Sequence, residues 1–319
     1  MSNVPIDCDR PPRVSVILPV YNSERYLAEA IESILSQTFE DFELWIGDDC
    51  SSDRSLAILQ TYAAQDARIH VLANPTNLGV SATRNRLQAQ AQGEFIAVMD
   101  ADDIALPDRF SQQVSFLHDH PEVVCVGGNH ALIDAEGRLL TYLALPPDNE
   151  AIQQSALAGH GSICHPCAMM RRSTLQEIGG YDESLKSALD LDLWLRLGEV
   201  GHLANLQTVV LHYRLHAHSI SETRSTEQRH NARRVCERAW QRRGIEGKFE
   251  AGYAWRPTAD PESQHHFMLK YGWWAFNSRQ RQTALVYGWR AIKLRPFQTD
   301  GWILLGCAIA KPMPSLEEP

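Results

Sequence analysis

Three carboxylates, Asp100, Asp102 and Asp103, stand within four residues directly after an apolar run, Phe95–Met99. Like charges packed this closely repel one another, so the arrangement is unfavourable unless a positive group lies beside it. A divalent cation that also holds the phosphates of a substrate is the natural partner, because hard cations prefer oxygen ligands. The alternative is a solvated acidic turn, which is the more common meaning of such a triplet when it stands alone.

The segments around the triplet alternate between two patterns. Short apolar, β-branched runs that end at turn residues predict buried strands, and apolar residues at helical spacing predict helices between them. This alternation predicts βαβ units, and therefore an α/β fold whose sheet is mostly parallel and flanked by helices. The predicted elements are strands Val14–Val20, Glu43–Gly47, Arg68–Ala73 and Phe95–Met99, with helices over 27–35 and 80–91 among those between them.

Side chains that can cap helices follow the first two strands. We expect Asn22 and Ser23 to cap the first helix, and Ser51 and Ser52 to cap the second. After the acidic triplet, Pro107 marks a place where a further helix could begin.

Two carboxylate pairs follow two of the predicted strands. Asp48 and Asp49 come after the second strand, and Asp100 and Asp102 come after the fourth. Ligands of a parallel sheet bind beyond the carboxyl ends of its strands, so both pairs should meet at one edge of the sheet. This convergence favours a binding site over a solvated turn.

Three segments resemble glycosyltransferase family 2, in the family's order and at its spacing. They are VSVILPVYNSERYLAEAIESILSQTFEDFELWIGDDCSSD, NLGVSATRNRLQAQAQGEFIAVMDADDIALPDRF and GGYDESLKSALDLDLWLRL. The resemblance covers residues 12–221 and implies the Rossmann-like GT-A fold. It also implies an inverting transferase that uses a nucleotide-diphosphate sugar, expected to be a UDP-sugar, and a divalent metal, Mn²⁺ or Mg²⁺. The expected acceptor is a hydroxyl of a glycan or a lipid-linked carrier in surface polysaccharide synthesis.

The resemblance assigns a set of residues to the nucleotide sugar. Asp49 matches the carboxylate that accepts a hydrogen bond from a uracil-like base, and Arg84 matches an arginine that approaches the nucleotide and the acidic loops. Cys50 stands where the family more often has glycine, which implies that the backbone there need not be left-handed. The full set is Pro19, Tyr21, Asp49, Arg84, Asp100 and Arg214.

The metal is assigned to two residues. Asp102 ends the Asp-x-Asp motif and is the expected ligand, while Asp103 is expected to cap the following turn. His216, in a stretch that resembles the family's Tyr-Arg-x-His pattern, could reach the metal or a phosphate, or could be a structural histidine. An all-oxygen site suits Mn²⁺ or Mg²⁺ better than Zn²⁺.

Inversion needs one general base, because the acceptor hydroxyl attacks the anomeric carbon directly. Asp190 matches the family's base and lies near a predicted helix start, where the helix dipole favours its charged form; its alternative role is a plain helix cap. Leu189 stands where the family usually has glutamate. Asp192 and His165 are expected on the acceptor side.

Other motifs narrow the reaction. Cys164 and Cys167 form a Cys-x-x-Cys, but no second pair stands at zinc-site spacing, so neither a redox nor a zinc role is favoured. The glycine-rich dinucleotide motif is absent, which argues against an NAD enzyme. The family's Gln-x-x-Arg-Trp motif, associated with processive polymer synthesis, is absent too, which predicts transfer of a single sugar. Two alternatives stay open: a non-catalytic nucleotide-sugar-binding scaffold, and a nucleotidyltransferase, whose usual glycine-rich basic loop is missing from 19–25.

Composition sets the remaining bounds. The chain has 319 residues, a net charge of −9 and seven cysteines. The negative charge argues against nucleic acid as the main partner. An odd number of scattered cysteines and no signal peptide predict a reducing cytoplasm.

We predict a flexible N-terminus over 1–12, a GT-A domain over 13–221 and a helical C-terminal region over 222–319. The last region is rich in aromatic residues, and its apolar run Trp302–Ala310 is too short to cross a bilayer, which needs about 20 residues. Two roles are open for it: packing as an ordinary helical surface, or peripheral contact with the inner face of the membrane.

Overall fold

The computed structural model describes residues 10–216, 225–251 and 260–314. Within these ranges, strands and helices alternate along the N-terminal half as the sequence predicts. The strands are β1 Val14–Val20, β2 Phe42–Asp48, β3 Ile69–Ala73, β4 Phe95–Val98, β5 Ile104–Ala105, β6 Val123–Ile133, β7 Leu139–Leu143, β8 Met169–Arg171 and β9 His202–Arg214. The helices are α1 Leu27–Leu35, α2 Ser55–Ala63, α3 Val80–Gln90, α4 Arg109–Asp119, α5 Asn149–Leu157, α6 Arg172–Glu177, α7 Leu189–Leu197, α8 Ser225–Arg243, α9 Pro261–Asn277, α10 Arg281–Leu294 and α11 Thr299–Ala310.

The first four strands form the parallel part of one sheet. β1 lies between β2 and β4, with Val14 opposite both Phe42 and Phe95, and β3 pairs with the other side of β2. Because all four strands run in one direction, the residues after β2 and β4 lie at the same edge, as predicted. The α/β fold inferred from the sequence is confirmed, and this half of the sheet carries the acidic residues.

The other half of the sheet is antiparallel. β8 pairs antiparallel with β4 and with β6, and β7 pairs antiparallel with β6. Among the described residues the strand order is β3-β2-β1-β4-β8-β6-β9-β5, with β7 beside β6. Pairing of β8 with β4 places Met170 opposite Ile96, next to the parallel half of the sheet.

The predicted helix caps are wrong: the side chains of Asn22, Ser51 and Ser52 bond between two loops, and the Ser23 hydroxyl donates to the Tyr21 carbonyl oxygen at 3.2 Å. α1 begins after Tyr26 and α2 after Arg54, neither of which caps its helix through its side chain. The Oδ1 atom of Asn22 accepts hydrogen bonds from the backbone N–H and the hydroxyl of Ser52, at 2.8 and 3.2 Å, and the Ser51 hydroxyl accepts one from the Asn22 N–H at 3.0 Å. These bonds interlock the loops after β1 and β2.

Contacts divide the described chain into two units. The first contains the residues up to Asn129, Leu145–Leu211 and 227–251, and the second contains His130–Ala144, 212–216, 225–226 and 260–314. Residues 1–9 and the predicted boundary at 221 lie outside the described residues. The domain limits inferred from the sequence therefore stay predictions.

Each unit has its own apolar core. In the first, Ile17, Val98 and Trp194 belong to one buried cluster that joins the sheet to α7. In the second, buried residues of α9, α10 and α11 pack together, and the Tyr287 hydroxyl donates a hydrogen bond to the buried Asp134 at 3.1 Å. No helix of the described residues is long and apolar enough to cross a membrane.

Candidate active site

The acidic segment after β4 is tied to helix α3 by an ion pair. The Nη2 atom of Arg84 lies 2.6 Å from Oδ1 of Asp100, with the arginine side chain 5% exposed and the aspartate 30%. Burial raises the pKa of Asp100, Arg84 opposes that rise, and the negative charges of Asp102 and Asp190 add to it. Three predicted site carboxylates therefore act on one another.

Asp190 lies in the first turn of α7, two residues after a residue with a left-handed backbone. Ala188, which precedes the helix, has a left-handed backbone with φ of 57°, a conformation that non-glycine residues rarely adopt. Burial raises the pKa of Asp190, although the backbone N–H groups of Leu191 and Asp190 and the charge of Arg84 oppose the rise. A carboxylate with a raised pKa is a stronger base, which suits the catalytic role. The hydrogen bonds from the backbone N–H groups at the helix start suit the capping role, so the position is compatible with both.

An aromatic wall stands beside Arg84. The guanidinium carbon lies 5.6 Å from the centroid of the Tyr181 ring. The Tyr181 hydroxyl lies 3.0 Å from Nε2 of His165, whose ring is also 5.8 Å from that of Trp194. Asn85 holds the backbone of Tyr181 through two hydrogen bonds of 2.9 Å. This wall connects α3, the loop before α7 and the 3-10 helix His165–Cys167.

Both residues expected on the acceptor side, His165 and Asp192, are bonded to neighbouring side chains. Burial, with the charge of Arg84, holds the pKa of His165 well below its usual range, so its ring is neutral at pH 7 and is engaged with Tyr181. Asp192 is buried and accepts a hydrogen bond of 2.7 Å from Nε of Arg196. Packing alone explains both side chains, and their contact with an acceptor stays a prediction.

The loop after β2 is built around Asp49. Its Oδ1 accepts hydrogen bonds of 2.8 Å from the Asn74 amide and from the Leu78 N–H, and its Oδ2 accepts one of 2.9 Å from the Gly79 N–H. These three bonds leave about one further acceptor position on the carboxylate for a base. Neighbouring Asp48 differs, because its buried Oδ1 has no hydrogen-bond partner among the described residues.

The backbone at Cys50 corrects an expectation. It is left-handed, with φ of 63°, although the replacement of the usual glycine predicted otherwise. Pro19 is part of β1, opposite Gly47, and Tyr21 follows the strand with 53% of its surface exposed. An exposed ring at this edge is available for stacking.

Sequence reasoning missed Arg109, a buried cation on α4 beneath the acidic segment. Its Nη2 donates to the carbonyl oxygens of Val98 and Ala168, at 2.9 and 3.3 Å, and its Nε donates to Gln113 at 3.1 Å. Burial lowers its pKa, while the nearby charges of Asp103 and Asp100 oppose that change. The signal was present in the sequence, because an arginine six residues after Asp103, at the start of the next predicted helix, is a candidate counter-charge.

Arg214 and His216 belong to the second unit. The Arg214 side chain is buried, and its Nη1 lies 3.5 Å from the carbonyl oxygen of Asp134. His216 is half-buried at the end of the described segment, and the following residues 217–224 lie outside the described residues. Their assignments to phosphate and metal stay predictions.

Comparison with known proteins identifies the family. The model of glycosyl transferase family 2 matches residues 15–179, which is about half of the chain. The chain belongs to this family. It is similar to the putative glycosyltransferase EpsE of Bacillus subtilis (strain 168), with 38% identity over 197 residues that cover 60% of this chain and 68% of the relative.

Solved structures of glycosyltransferases share the fold of this family member. A structure of residues 1–349 of S. aureus TarS with UDP-GlcNAc has a TM-score of 0.52 and 19% identity, and covers 94% of this chain and 76% of that one. The mannosyltransferase PcManGT of Pyrobaculum calidifontis, with GDP-Man and Mn²⁺, has a TM-score of 0.57 and 16% identity, and covers 96% and 82%. The transferase therefore has the GT-A fold that the sequence predicts.

The acidic site of this transferase has the chemistry of a divalent cation site. Its donors are carboxylate oxygens, which Mn²⁺ and Mg²⁺ prefer. Burial raises the pKa of Asp100, and the negative charges of Asp102 and Asp190 add to that rise even though Arg84 is its partner. A cation would relieve this repulsion, so the residues present fit the metal.

Proposed function

We propose that the protein is a metal-dependent inverting glycosyltransferase. It moves one sugar from a nucleotide-diphosphate sugar, a UDP-sugar, to a hydroxyl of a glycan or lipid-linked acceptor in surface polysaccharide synthesis. One observation carries the proposal: Arg84 holds Asp100 at 2.6 Å, and the negative charges of both Asp102 and Asp190 act on that same carboxyl. This supports a site that holds both a base and an acidic metal motif.

The residues divide the work between the two sides of the reacting carbon. Asp190 accepts the proton of the acceptor hydroxyl, whose oxygen forms a bond to the anomeric carbon as the bond to the diphosphate breaks. Attack from the face opposite the leaving group inverts the configuration. Arg84 fixes Asp100 at the acidic loop.

We assign the metal to Asp102 and His216, as the resemblance implies. A bound Mn²⁺ or Mg²⁺ would neutralise the charge of the departing diphosphate. PcManGT holds Mn²⁺ together with GDP-Man, which supports a metal in a relative of the same fold.

For the donor, TarS was solved with UDP-GlcNAc, which supports a UDP-sugar. We assign Pro19, Tyr21, Asp49 and Arg214 to the nucleotide. The buried and unpaired Oδ1 of Asp48 supports a polar ligand group at the same loop, because buried acceptors are nearly always bonded.

We place the reaction in the cytoplasm. All six cysteines among the described residues are free thiols, which supports a reducing compartment.

The test is a panel of nucleotide sugars with Mn²⁺, in which release of the nucleotide diphosphate and heat of binding are both followed. We expect one donor to bind and to be consumed when an acceptor glycan is added. Asp190→Asn should lose about 10²–10⁴-fold of the turnover, the usual worth of a general base, and should keep its affinity for the donor. Glu177→Gln, the same carboxyl-to-amide change at an exposed position of α6, is the matched control.

Two results would contradict the proposal. Donor binding without turnover in the unaltered protein would favour the scaffold, to which Leu189 in place of glutamate lends some support. Release of pyrophosphate from a nucleoside triphosphate would favour a nucleotidyltransferase.

A further inference from the structure

Helix α11, in the second unit, is apolar on the side that faces the other helices and on the side that faces away. Gly301, Leu304, Cys307 and Ala308 are buried. The opposite side, which we call the α11 face, consists of Trp302, Ile303, Gly306, Ile309 and Ala310, and all five are exposed. Their spacing places them on one side of the helix. A helix that is apolar all round is expected to be covered, so this face lacks an occupant.

The exposure of the α11 face is large for apolar side chains. Trp302 is 52% exposed, Ile303 53% and Ile309 66%. Phe297, in the turn before the helix, is 98% exposed, and Trp289 of α10 is 49% exposed. The Trp302 indole N–H donates to the carbonyl oxygen of Pro296 at 3.0 Å, so its ring is held in place at the surface. Large apolar side chains that are exposed together on one side of a helix mark an interaction site.

The charge around the α11 face is opposite in sign to that of the whole chain. Residues 260–314 hold seven of the 30 lysines and arginines but only three of the 39 aspartates and glutamates. Arg281 donates to the carbonyl oxygens of Ile309 and Lys311, at 3.1 and 2.8 Å, so two cations stand at the C-terminal end of α11. On α10, the Lys293 ammonium lies 5.6 Å from the centroid of the Trp289 ring. The apolar face thus has a basic rim.

We propose that the α11 face docks on the surface of an anionic phospholipid bilayer. The helix would lie in the plane of the interface, with its apolar side chains among the acyl chains and the basic rim at the headgroups. Its 12 residues cannot span the bilayer, and tryptophan with nearby cations is the combination that suits the interface. A second copy of the same face would bring equal positive charges together, and the face offers no polar side chain for directed contacts with a protein.

The experiment is sedimentation of the full-length protein with vesicles of phosphatidylcholine alone and of phosphatidylcholine with phosphatidylglycerol. We expect binding to the anionic vesicles that weakens as salt is added, because the basic rim acts over a Debye length. The double variant Trp302→Ser with Ile309→Ser should bind at least about tenfold more weakly, because each substitution removes apolar area from the contact. Val200→Ser, an exposed apolar residue of the first unit at 45% exposure, is the matched control and should bind as the unaltered protein does.

Vesicle binding requires no sugar donor, so it is independent of the proposed transferase activity. An unchanged circular dichroism spectrum of the double variant would show that its fold is intact. This is expected, because substitutions at exposed positions usually change stability little. The proposal would be overturned if the unaltered protein stayed in solution with anionic vesicles, or if the double variant bound them equally well. It would also be overturned if light scattering showed that the unaltered protein is a dimer and the double variant a monomer, because the occupant of the α11 face would then be a second copy.

Discussion

The ion pair between Arg84 and Asp100 should stabilise the protein in a way that depends on pH. Its atoms are 2.6 Å apart, and the side chains are 5% and 30% exposed, so the pair is neither a surface pair nor a fully enclosed one. Surface pairs contribute about 0–1 kcal/mol, and loss of one partner of an enclosed pair costs about 3–5 kcal/mol. For this intermediate burial we expect Arg84→Gln to cost about 2–3 kcal/mol near neutral pH.

The direction of the pH dependence follows from the pKa of Asp100, which burial raises in the folded state. Because the folded state binds the proton more tightly than the unfolded state, stability contributed through this group increases as the pH falls through its folded pKa. Loss of Arg84 removes the charge that opposes the rise and raises this pKa further. The cost of Arg84→Gln should therefore be largest near neutral pH and should shrink as the pH falls through the pKa of Asp100.

The assay is urea unfolding, followed by circular dichroism, of four proteins: unaltered, Arg84→Gln, Asp100→Asn and the double variant. A coupling energy of about 1–3 kcal/mol near neutral pH, smaller at acidic pH, is expected for charges in contact. Arg54→Gln, whose side chain is 83% exposed in its pair with Glu24, is the control and should change stability by less than about 0.5 kcal/mol. Additive effects of the two site substitutions, within about 0.3–0.5 kcal/mol, would refute the reasoning.

Three further predictions concern single positions. Cys50→Gly should raise the free energy of unfolding by about 0.5 kcal/mol, because the relief of left-handed strain exceeds the entropy cost of glycine; a lower urea midpoint would contradict this. Arg109→Leu should cost about 3–5 kcal/mol, since it removes the donor from the Val98 and Ala168 carbonyls; an unchanged melting temperature would refute that role. The turnover rate should fall with decreasing pH as Asp190 becomes protonated, at a pKa above the usual 3.8. Because Arg84 lowers that pKa, Arg84→Gln should move this acid limb to higher pH, and a shift to lower pH would contradict the assignment.

The parallel half of the fold could be predicted because its signals are local. The runs before Val20, Asp48 and Asp100 are apolar, are ended by turn residues and alternate with helices, so strand, direction and binding edge follow from the sequence. The antiparallel half could not be predicted in the same way. β8 has only three residues, Met169–Arg171, and its partners β4 and β6 are far away in sequence.

Local rules failed where tertiary contacts decided the conformation. Asn22 and Ser51 have side chains that can cap a helix, but the same atoms bind across two loops. Cys50 has a left-handed backbone although it is not glycine, in a loop whose next residues are bonded to Asn22. At the site, the motifs predicted the carboxylates, whereas the contacts that occupy Asp49, Asp192 and His165 become visible only in three dimensions.

The central claim is that the acidic residues after β4 form a site for a metal and a diphosphate. Titration of the protein with UDP, with and without Mn²⁺, followed by heat of binding, tests it most directly. We expect Mn²⁺ to tighten UDP binding by about tenfold or more, equivalent to about 1.4 kcal/mol, and Asp102→Asn to abolish that gain. Equal affinity with and without the metal, or a full gain in Asp102→Asn, would contradict the account.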